Sequence, residues 1–179
     1  MELRDKNGLT EQEFLAGYNA DKYPKPSLTA DVAIFAREGE KLRLLLIRRG
    51  GHPYLGCLAL PGGFADKNEP LEQTAARELL EETGVSGIPL QLVGVFSKPG
   101  RDPRGWVVTA AYTAVIDASQ VKVTAGDDAA DARWYELEPS ADGAGFRLKD
   151  GVKELSPESD GKLAFDHNEI ILQALRRWV

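Results

Sequence analysis

Three glutamates in the middle of the chain have the residue type and spacing of a metal site. Glu78, Glu81 and Glu82 stand at positions i, i+3 and i+4, so on a helix their carboxylates project from one face. Adjacent anions repel one another unless a cation lies among them, and hard oxygen ligands select magnesium or manganese rather than zinc. Such a cation would neutralise charge on a phosphate substrate and activate a water molecule. The alternative interpretation is a solvated acidic helix face.

The residues that precede these glutamates suit the same chemistry. Gly62 and Gly63 lie in a loop, where the lack of a Cβ lets the backbone approach a metal or a phosphate, so Gly63 is a candidate backbone ligand. Glu69 is placed at the helix entrance and Arg77 follows it by eight residues. We therefore expect a contact between Arg77 and Glu69 that orients the acidic face.

A helix must position the glutamates, and the strongest helix prediction of the chain covers them. It spans Pro70 to Thr83, with Pro70 at the first helical position and Gly84 just past the end. Alternating and β-branched residues predict a hairpin before it, which turns at Glu38 to Glu40. The elements predicted in the rest of the chain are helices over 9–18 and 166–178, strands over 28–37, 41–49, 57–60, 90–97, 106–116 and 134–137, and a surface excursion over 140–159 with a small hairpin around 142–152.

Composition limits the class of protein. A chain of 179 residues with 42% hydrophobic residues fits one domain of ordinary size. The net charge of −6 gives no general attraction for nucleic acid. Cys57 is the single cysteine, which excludes an intramolecular disulfide and favours the reducing cytoplasm. No window approaches the roughly 20 apolar residues of a membrane span, so no membrane partner is expected.

The segment from Gly63 to Val85 resembles the signature of the Nudix hydrolases at every specified position. The resemblance implies an α/β/α sandwich around a mixed β-sheet and a Mg²⁺ cofactor, with Mn²⁺ as the alternative. It also implies catalytic roles. The residues that match metal ligands are Glu78 and Glu82, Glu81 matches a ligand or the water-activating base, and Glu69 and Arg77 support the loop and helix geometry.

Further segments resemble a bacterial group within this family. The group contains ADP-ribose pyrophosphatases, the Nudix halves of bifunctional nicotinamide-mononucleotide adenylyltransferases and the Nudix regulators of NAD metabolism. ADP-ribose is therefore the expected substrate, cleaved to AMP and ribose 5-phosphate. The alternatives are NADH, a nucleoside triphosphate, a sugar nucleotide or a dinucleoside polyphosphate. The matching segments are 45–50, 58–64, 99–105, 125–129 and 163–167.

Several residues in or beside these segments are candidates for substrate contacts. Arg101 and Arg104 suit bidentate phosphate or ribose contacts, with a surface ion pair as the alternative. Trp106 is interpreted either as a stacking partner for adenine or as a core strand residue. One of Arg48 and Arg49, at the end of a strand, is expected to face the site. The complete candidate set is Arg48, Arg49, Phe64, Arg101, Arg104, Trp106, Asp128 and His167.

The two loop and helix-start candidates carry alternatives as well. Asp127 or Asp128 is either an additional acidic residue of the site or part of a solvated turn. His167 either touches substrate or takes part in starting the last helix, with Asp166 as the N-cap.

A different class of function stays open, because the related regulators use a Nudix domain to bind ADP-ribose-like effectors and append a DNA-binding winged-helix domain. The chain ends at Val179, directly after the last predicted helix, so we expect no such domain and no nucleic-acid partner. The intact acidic cluster favours an enzyme over a sensor module. By resemblance we expect a homodimer, with residues 1–27 as an N-terminal extension that contacts the partner and 28–179 as the Nudix domain.

Overall fold

A mixed β-sheet forms the centre of the part of the chain that the computed structural model describes, which is residues 2–117, 119, 121, 123–124 and 129–178. The helices in these ranges are α1 (Glu11–Gly17), α2 (Leu71–Thr83) and α3 (His167–Leu175), with a short 3-10 helix at Ala20–Lys22. The strands are β1 (Ser27–Glu38), β2 (Lys41–Arg49), β3 (Leu58–Ala59), β4 (Gly62–Phe64), β5 (Gln91–Phe96), β6 (Val107–Asp117), β7 (Ala129–Pro139), β8 (Phe146–Asp150) and β9 (Lys153–Glu154).

The sheet order is β5-β6-β1-β2-β7-β8-β9, with β3 beside β2 and β4 beside β1. Strands β1 and β6 are parallel, and the other pairs are antiparallel. The predicted hairpin of β1 and β2 is confirmed, with Glu38 opposite Lys41. Because β4 pairs with β1, it brings the loop that enters α2 to the centre of the sheet.

Alternate residues of the central strands bury opposite faces of the sheet. Ala33 and Phe35 of β1 belong to a core cluster that includes Ile170 of α3. Val32 and Ile34 belong to a second cluster that includes residues of α2. A period of two therefore places one helix on each face. The α/β/α sandwich with a mixed sheet is confirmed.

Helix α2 begins and ends almost where the sequence predicts. Pro70, predicted as the first helical residue, has an extended backbone and is the N-cap, so the helix begins one residue later at Leu71. Gly84 ends the helix in the left-handed region with φ of 72°, where the absence of a Cβ avoids a steric penalty.

The C-terminal half contains more strand than the sequence predicts. Strand β7 covers Ala129–Pro139 rather than a short segment, because it lies between β2 and β8 and pairs with both. The predicted surface excursion holds β8 and β9, joined at Gly151, and these strands extend the sheet. Their alternation is weak because few side chains are buried at this end of the sheet: β8 buries one residue, Leu148, and β9 buries none.

The N-terminal helix α1 does not pack into the hydrophobic core. Thr10 and Glu13 form the predicted capping box of α1, but no residue of this helix is buried. Phe14, Leu15 and Tyr18 are between 45% and 59% exposed. None of the helices within the described ranges combines the length and apolar character needed to cross a bilayer.

Candidate active site

The loop at β4 and the helix α2 bring two glutamates against two glycines. The backbone N–H of Gly62 donates a hydrogen bond of 2.9 Å to the carboxylate of Glu82. A Cβ added to Gly63 would lie 2.5 Å from the carboxyl carbon of Glu78, a distance that real Cβ atoms do not show. The carboxylate of Glu78 therefore fills the space that the glycine leaves, so both glutamates lie directly beside the loop.

Arg77 connects the remaining acidic residues of the helix and its entrance. Its Nε donates to Glu69 Oε1 at 2.9 Å, which confirms the expected contact. Its Nη1 lies 2.7 Å from Glu78 and 3.0 Å from Glu81. The hydrogen bonds that Glu69 accepts, first from Arg77 and then from the Thr74 hydroxyl and the Asp66 backbone, lower its pKa to about 2. Arg77 thus holds the loop and the helix together through charge-assisted hydrogen bonds.

The carboxylates nearest the loop are electrostatically strained. Burial raises the pKa of Glu82 to about 8, and the neighbouring charge of Glu78 adds to this effect. Burial also raises the pKa of Glu78. A divalent cation would relieve this repulsion, since it favours the charged form of both groups.

The carboxylates near the loop suit such a cation as ligands, although Arg77 already donates hydrogen bonds to two of them, Glu78 and Glu81. In the described ranges no group of three or more potential ligands stands close enough to hold a metal. Glu78 and Glu81 share the guanidinium of Arg77, and the side chain of Glu81 is 56% exposed. The carboxylates of Glu78 and Glu82, together with the backbone at Gly63, offer the oxygen ligands that magnesium and manganese prefer.

A small cleft with a cavity volume of about 60 Å³, partly open to solvent, adjoins these glutamates and shares the two glycines with them. Its walls come from β1, β2, β4, the loop between β5 and β6, and the residues that lead into α3. Five of the predicted substrate-binding residues line it. The lining residues are Thr29, Asp31, Arg49, Leu60, Gly62, Gly63, Phe64, Arg101, Asp102, Arg104, Phe165 and His167.

The arginines of the loop between β5 and β6 are paired with carboxylates inside the cleft. Arg101 is buried and donates to both oxygens of Asp166, at 2.8 and 2.6 Å. Arg104 donates to both oxygens of Asp102, with the shortest bond at 2.7 Å. Both arginines therefore form ion pairs, as the alternative interpretation predicted, but the pairs lie in the cleft rather than on the open surface.

Two guanidiniums lie over the aromatic rings of the cleft. The guanidinium of Arg104 lies 4.7 Å from the ring centre of Phe64 and 5.5 Å from that of Phe165. The guanidinium of Arg49 also lies 5.1 Å from the ring centre of Phe165. Cation–π contacts of this kind hold guanidiniums over ring faces.

His167 is buried at the start of α3. Its Nδ1 accepts a hydrogen bond of 2.9 Å from the backbone N–H of Leu60, and its Nε2 lies 3.6 Å from Asp31. Burial lowers the pKa of His167, so the imidazole is neutral at pH 7. Asp166 occupies the predicted N-cap position, but its side chain makes no cap hydrogen bond and binds Arg101 instead.

Two buried polar residues of β1 belong to the cleft although the sequence analysis did not select them. Asp31 accepts a hydrogen bond of 2.7 Å from Thr109 and lies 3.7 Å from Arg101. The hydroxyl of Thr29 is buried and has no hydrogen-bond partner among the described residues. An acid inside an apolar strand was the available signal, because an unpaired charge is rarely buried.

The other candidates lie elsewhere. Arg48 donates to the carbonyl of Gly56 at 2.7 Å and does not line the cleft, so Arg49 is the member of the pair that faces it. Trp106 is 56% exposed, so its interpretation as a core residue is wrong, and it lies outside the cleft lining. Asp127 and Asp128 fall outside the described residues.

Comparisons with known proteins agree with this geometry. The family model of the NUDIX domain matches residues 25–150. An ADP-ribose pyrophosphatase of Methanocaldococcus jannaschii is 37% identical over 134 residues, which cover 75% of this chain and 66% of that protein. The ADPR responsive transcriptional repressor NtrR of Acinetobacter baylyi is 36% identical over 175 residues, which cover 96% of this chain and 62% of that protein. The chain thus spans just under two thirds of the length of these two curated relatives.

A solved structure adds a match over the whole length of its chain. The NUDIX domain of Shewanella oneidensis NrtR, solved in complex with ADP ribose, is 32% identical with a TM-score of 0.75. The match covers 96% of this chain and all of that one. Together with the domain match over most of the sequence and the glutamate-bearing helix beside its glycine loop, these similarities show that the chain belongs to the Nudix family.

Proposed function

We propose that this protein is a divalent-metal-dependent pyrophosphohydrolase that cleaves ADP-ribose to AMP and ribose 5-phosphate. One observation carries the proposal: the carboxylates of Glu78 and Glu82 meet the Gly62–Gly63 backbone, which is also a wall of the neighbouring cleft. A diphosphate at the carboxylates can therefore extend one of its substituents into the cleft. The similarity to an ADP-ribose pyrophosphatase and to an ADP-ribose-bound domain supports the choice of substrate.

The residues divide the work of hydrolysis. A bound Mg²⁺ or Mn²⁺ supplies neutralisation of the diphosphate charge and a lower pKa for the attacking water. Glu78, Glu82 and the backbone of Gly63 would hold this cation. Glu81 is the most exposed of the three glutamates and is suited to accept the proton of the water. Arg77 and Glu69 position the helix against the loop.

AMP release from a substrate panel tests the proposal. The panel contains ADP-ribose, NADH, a diadenosine polyphosphate, a sugar nucleotide and a nucleoside triphosphate, each with Mg²⁺, Mn²⁺ or chelator. We expect metal-dependent release that is fastest from ADP-ribose. Faster release from another compound would replace the substrate but keep the chemistry, and no release from any compound would contradict the proposal.

The variant Glu82→Gln tests the metal role directly. Because a neutral amide replaces a charged ligand, we expect turnover to fall by roughly two or more orders of magnitude. The thermal melt should stay unchanged or rise, since repulsion with Glu78 is relieved. Glu72→Gln, an exposed residue of the same helix, is the matched control. Full activity of Glu82→Gln would contradict the proposed ligand role.

The similarity to NtrR favours a second candidate function, a sensor domain that binds ADP-ribose without cleaving it. Both candidates bind ADP-ribose, so binding does not separate them. Tight binding of ADP-ribose in Mg²⁺ that leaves the ligand intact after hours would establish the sensor. Multiple turnovers would exclude it.

We further propose that residues 1–27 form a dimer contact outside a Nudix domain of residues 28–179. An isolated helix as short as α1 is marginal in water, so the exposed side chains of Phe14, Leu15 and Tyr18 favour a covering partner. A second copy of the chain is the occupant we propose. Light scattering should give twice the chain mass at micromolar concentration, and a monomeric mass would contradict this.

A further inference from the structure

We propose that the inner end of the cleft is a subsite for the hydroxyl-bearing sugar ring that the diphosphate carries opposite adenosine. This inference rests on the proposed function, since it assigns the distal ribose of ADP-ribose to a place in the structure. The subsite would select a diphosphate that ends in a neutral polyol over one that ends in a bare phosphate. Its residues are Thr29, Asp31 and Asp102, with Arg101 beside Asp31 and Arg104 paired with Asp102.

The position of the cleft fixes which part of a substrate enters it. Gly62 and Gly63 separate the cleft from the carboxylates of Glu78 and Glu82 by the thickness of one backbone. Asp31 lies immediately behind this backbone, because a Cβ at Gly62 would come within 2.7 Å of its Oδ1. In the proposed subsite, the group that reaches Asp31 is therefore one bonded directly to the diphosphate.

The charges of the cleft suit a neutral group. The lining contains the guanidiniums of Arg49, Arg101 and Arg104 and the carboxylates of Asp31 and Asp102. Asp166, bonded to Arg101, adds a third carboxylate, so the formal charges cancel. Because Arg101 and Arg104 each have both ends of a carboxylate as partners, they offer little counter-charge to another phosphate.

The aromatic residues argue against a base in this position. A purine would need a free ring face for stacking. The ring of Phe165 is approached by both Arg104 and Arg49, and the ring of Tyr54 packs edge-on against it at 4.8 Å between centroids. Arg104 also lies over one face of Phe64, which is 42% exposed. Phe165 therefore offers a base little free ring face, and the polar atoms of the cleft are the groups that a ligand there can contact.

The hydrogen-bonding groups of the cleft favour hydroxyls. Thr29 is 6% exposed, and its hydroxyl lacks a partner in the part of the chain that the structure describes. A buried hydroxyl without a partner is unfavourable, so a ligand that satisfies it gains affinity. The carboxylates of Asp31 and Asp102 accept hydrogen bonds, which a vicinal diol can donate. Sugar hydroxyls both donate and accept, and thus match this mixed set.

Calorimetric binding of ADP-ribose and of ADP tests the subsite without relying on turnover. ADP lacks the distal ring, and titrations in chelator and in calcium chloride, with the ligand checked for integrity, measure affinity alone. We expect the wild-type protein to bind ADP-ribose at least about fivefold more tightly than ADP, from one hydrogen bond or more. Equal affinities, or no measurable binding of ADP-ribose in both buffers, would overturn the proposal.

Variants at Thr29 test whether this residue causes the preference for ADP-ribose over ADP. Thr29→Val removes the hydroxyl at constant shape and should weaken ADP-ribose binding by roughly fivefold, while ADP binding changes far less. Thr29→Ser keeps the hydroxyl and should retain the preference. Thr113→Val, which removes a buried hydroxyl bonded to Ala33 away from the cleft, is the matched control. A loss of equal size for ADP and ADP-ribose in Thr29→Val would overturn the assignment.

The outcome for the subsite is separate from that for hydrolysis. A protein that prefers ADP-ribose to ADP in calorimetry but releases no AMP has the subsite without the proposed activity. A protein that releases AMP from ADP-ribose but binds ADP equally well has the activity without the subsite.

Discussion

The buried ion pair of Arg101 and Asp166 should make a measurable contribution to the free energy of unfolding of the protein. The two bonds between them measure 2.8 and 2.6 Å, and the side chains are 4% and 9% exposed. Removing one partner of such a pair leaves an uncompensated buried charge and costs about 3–5 kcal/mol. Asp31 lies 3.7 Å from the same guanidinium and retains part of the counter-charge. For Asp166→Asn we therefore expect the free energy of unfolding to fall by about 2–3 kcal/mol.

Urea denaturation of matched variants measures this cost. Asp21→Asn makes the same substitution in a pair of similar length, 2.7 Å to Lys25, but its carboxylate side chain is 90% exposed. Solvent and salt screen that pair, so its loss should be barely detectable. If Asp166→Asn were as stable as Asp21→Asn, the argument from burial would be refuted. Equal slopes of the transitions would show that the unfolded states are comparable.

Two further substitutions probe the loop and the start of α3. Gly63→Ala should lower the rate of AMP release on the order of a hundredfold, because the new Cβ displaces the Glu78 carboxylate. Gly51→Ala is the control, since its Cβ meets no atom within 4 Å, and it should act as wild type. Unchanged rates in Gly63→Ala would refute the close contact. His167→Asn should lessen the acid sensitivity of folding. Since burial holds the folded pKa of His167 below the unfolded value, the wild type loses stability as the pH falls below about 6.5, and urea midpoints from pH 8 to pH 5 should fall less in the variant.

Local signals predicted the elements that position the candidate metal ligands. The hairpin of β1 and β2 follows from alternation around Gly39, and α2 follows from its spacing and from Gly84 at its end. Such features depend on neighbours within one or two turns of chain, so the sequence contains them directly. The contact of Arg77 with Glu69 was predictable for the same reason, since the two residues are eight positions apart.

The cleft could not be predicted in the same way, because its contacts join distant segments. Arg101 and Asp166 are 65 positions apart, and Asp31 reaches the same guanidinium from the first strand. Sequence identified both arginines of the loop as candidates, yet it could not show that each already has a carboxylate partner. Asp31 was overlooked because the pattern of β1 reads as a buried strand, and only the fold shows what compensates its charge.

These pairings explain why a cation is needed for the proposed chemistry. The protein has a net charge of −6, so its field repels a diphosphate before any contact forms. Arg77 binds three glutamates, and Arg101 and Arg104 bind aspartates. Arg49 lines the cleft and has no ion pair among the described residues, but one guanidinium does not neutralise a diphosphate. Further counter-charge must then come from outside the chain. Burial, together with the charge of Glu78, raises the pKa of Glu82, and a divalent ion there would neutralise both the glutamates and the substrate.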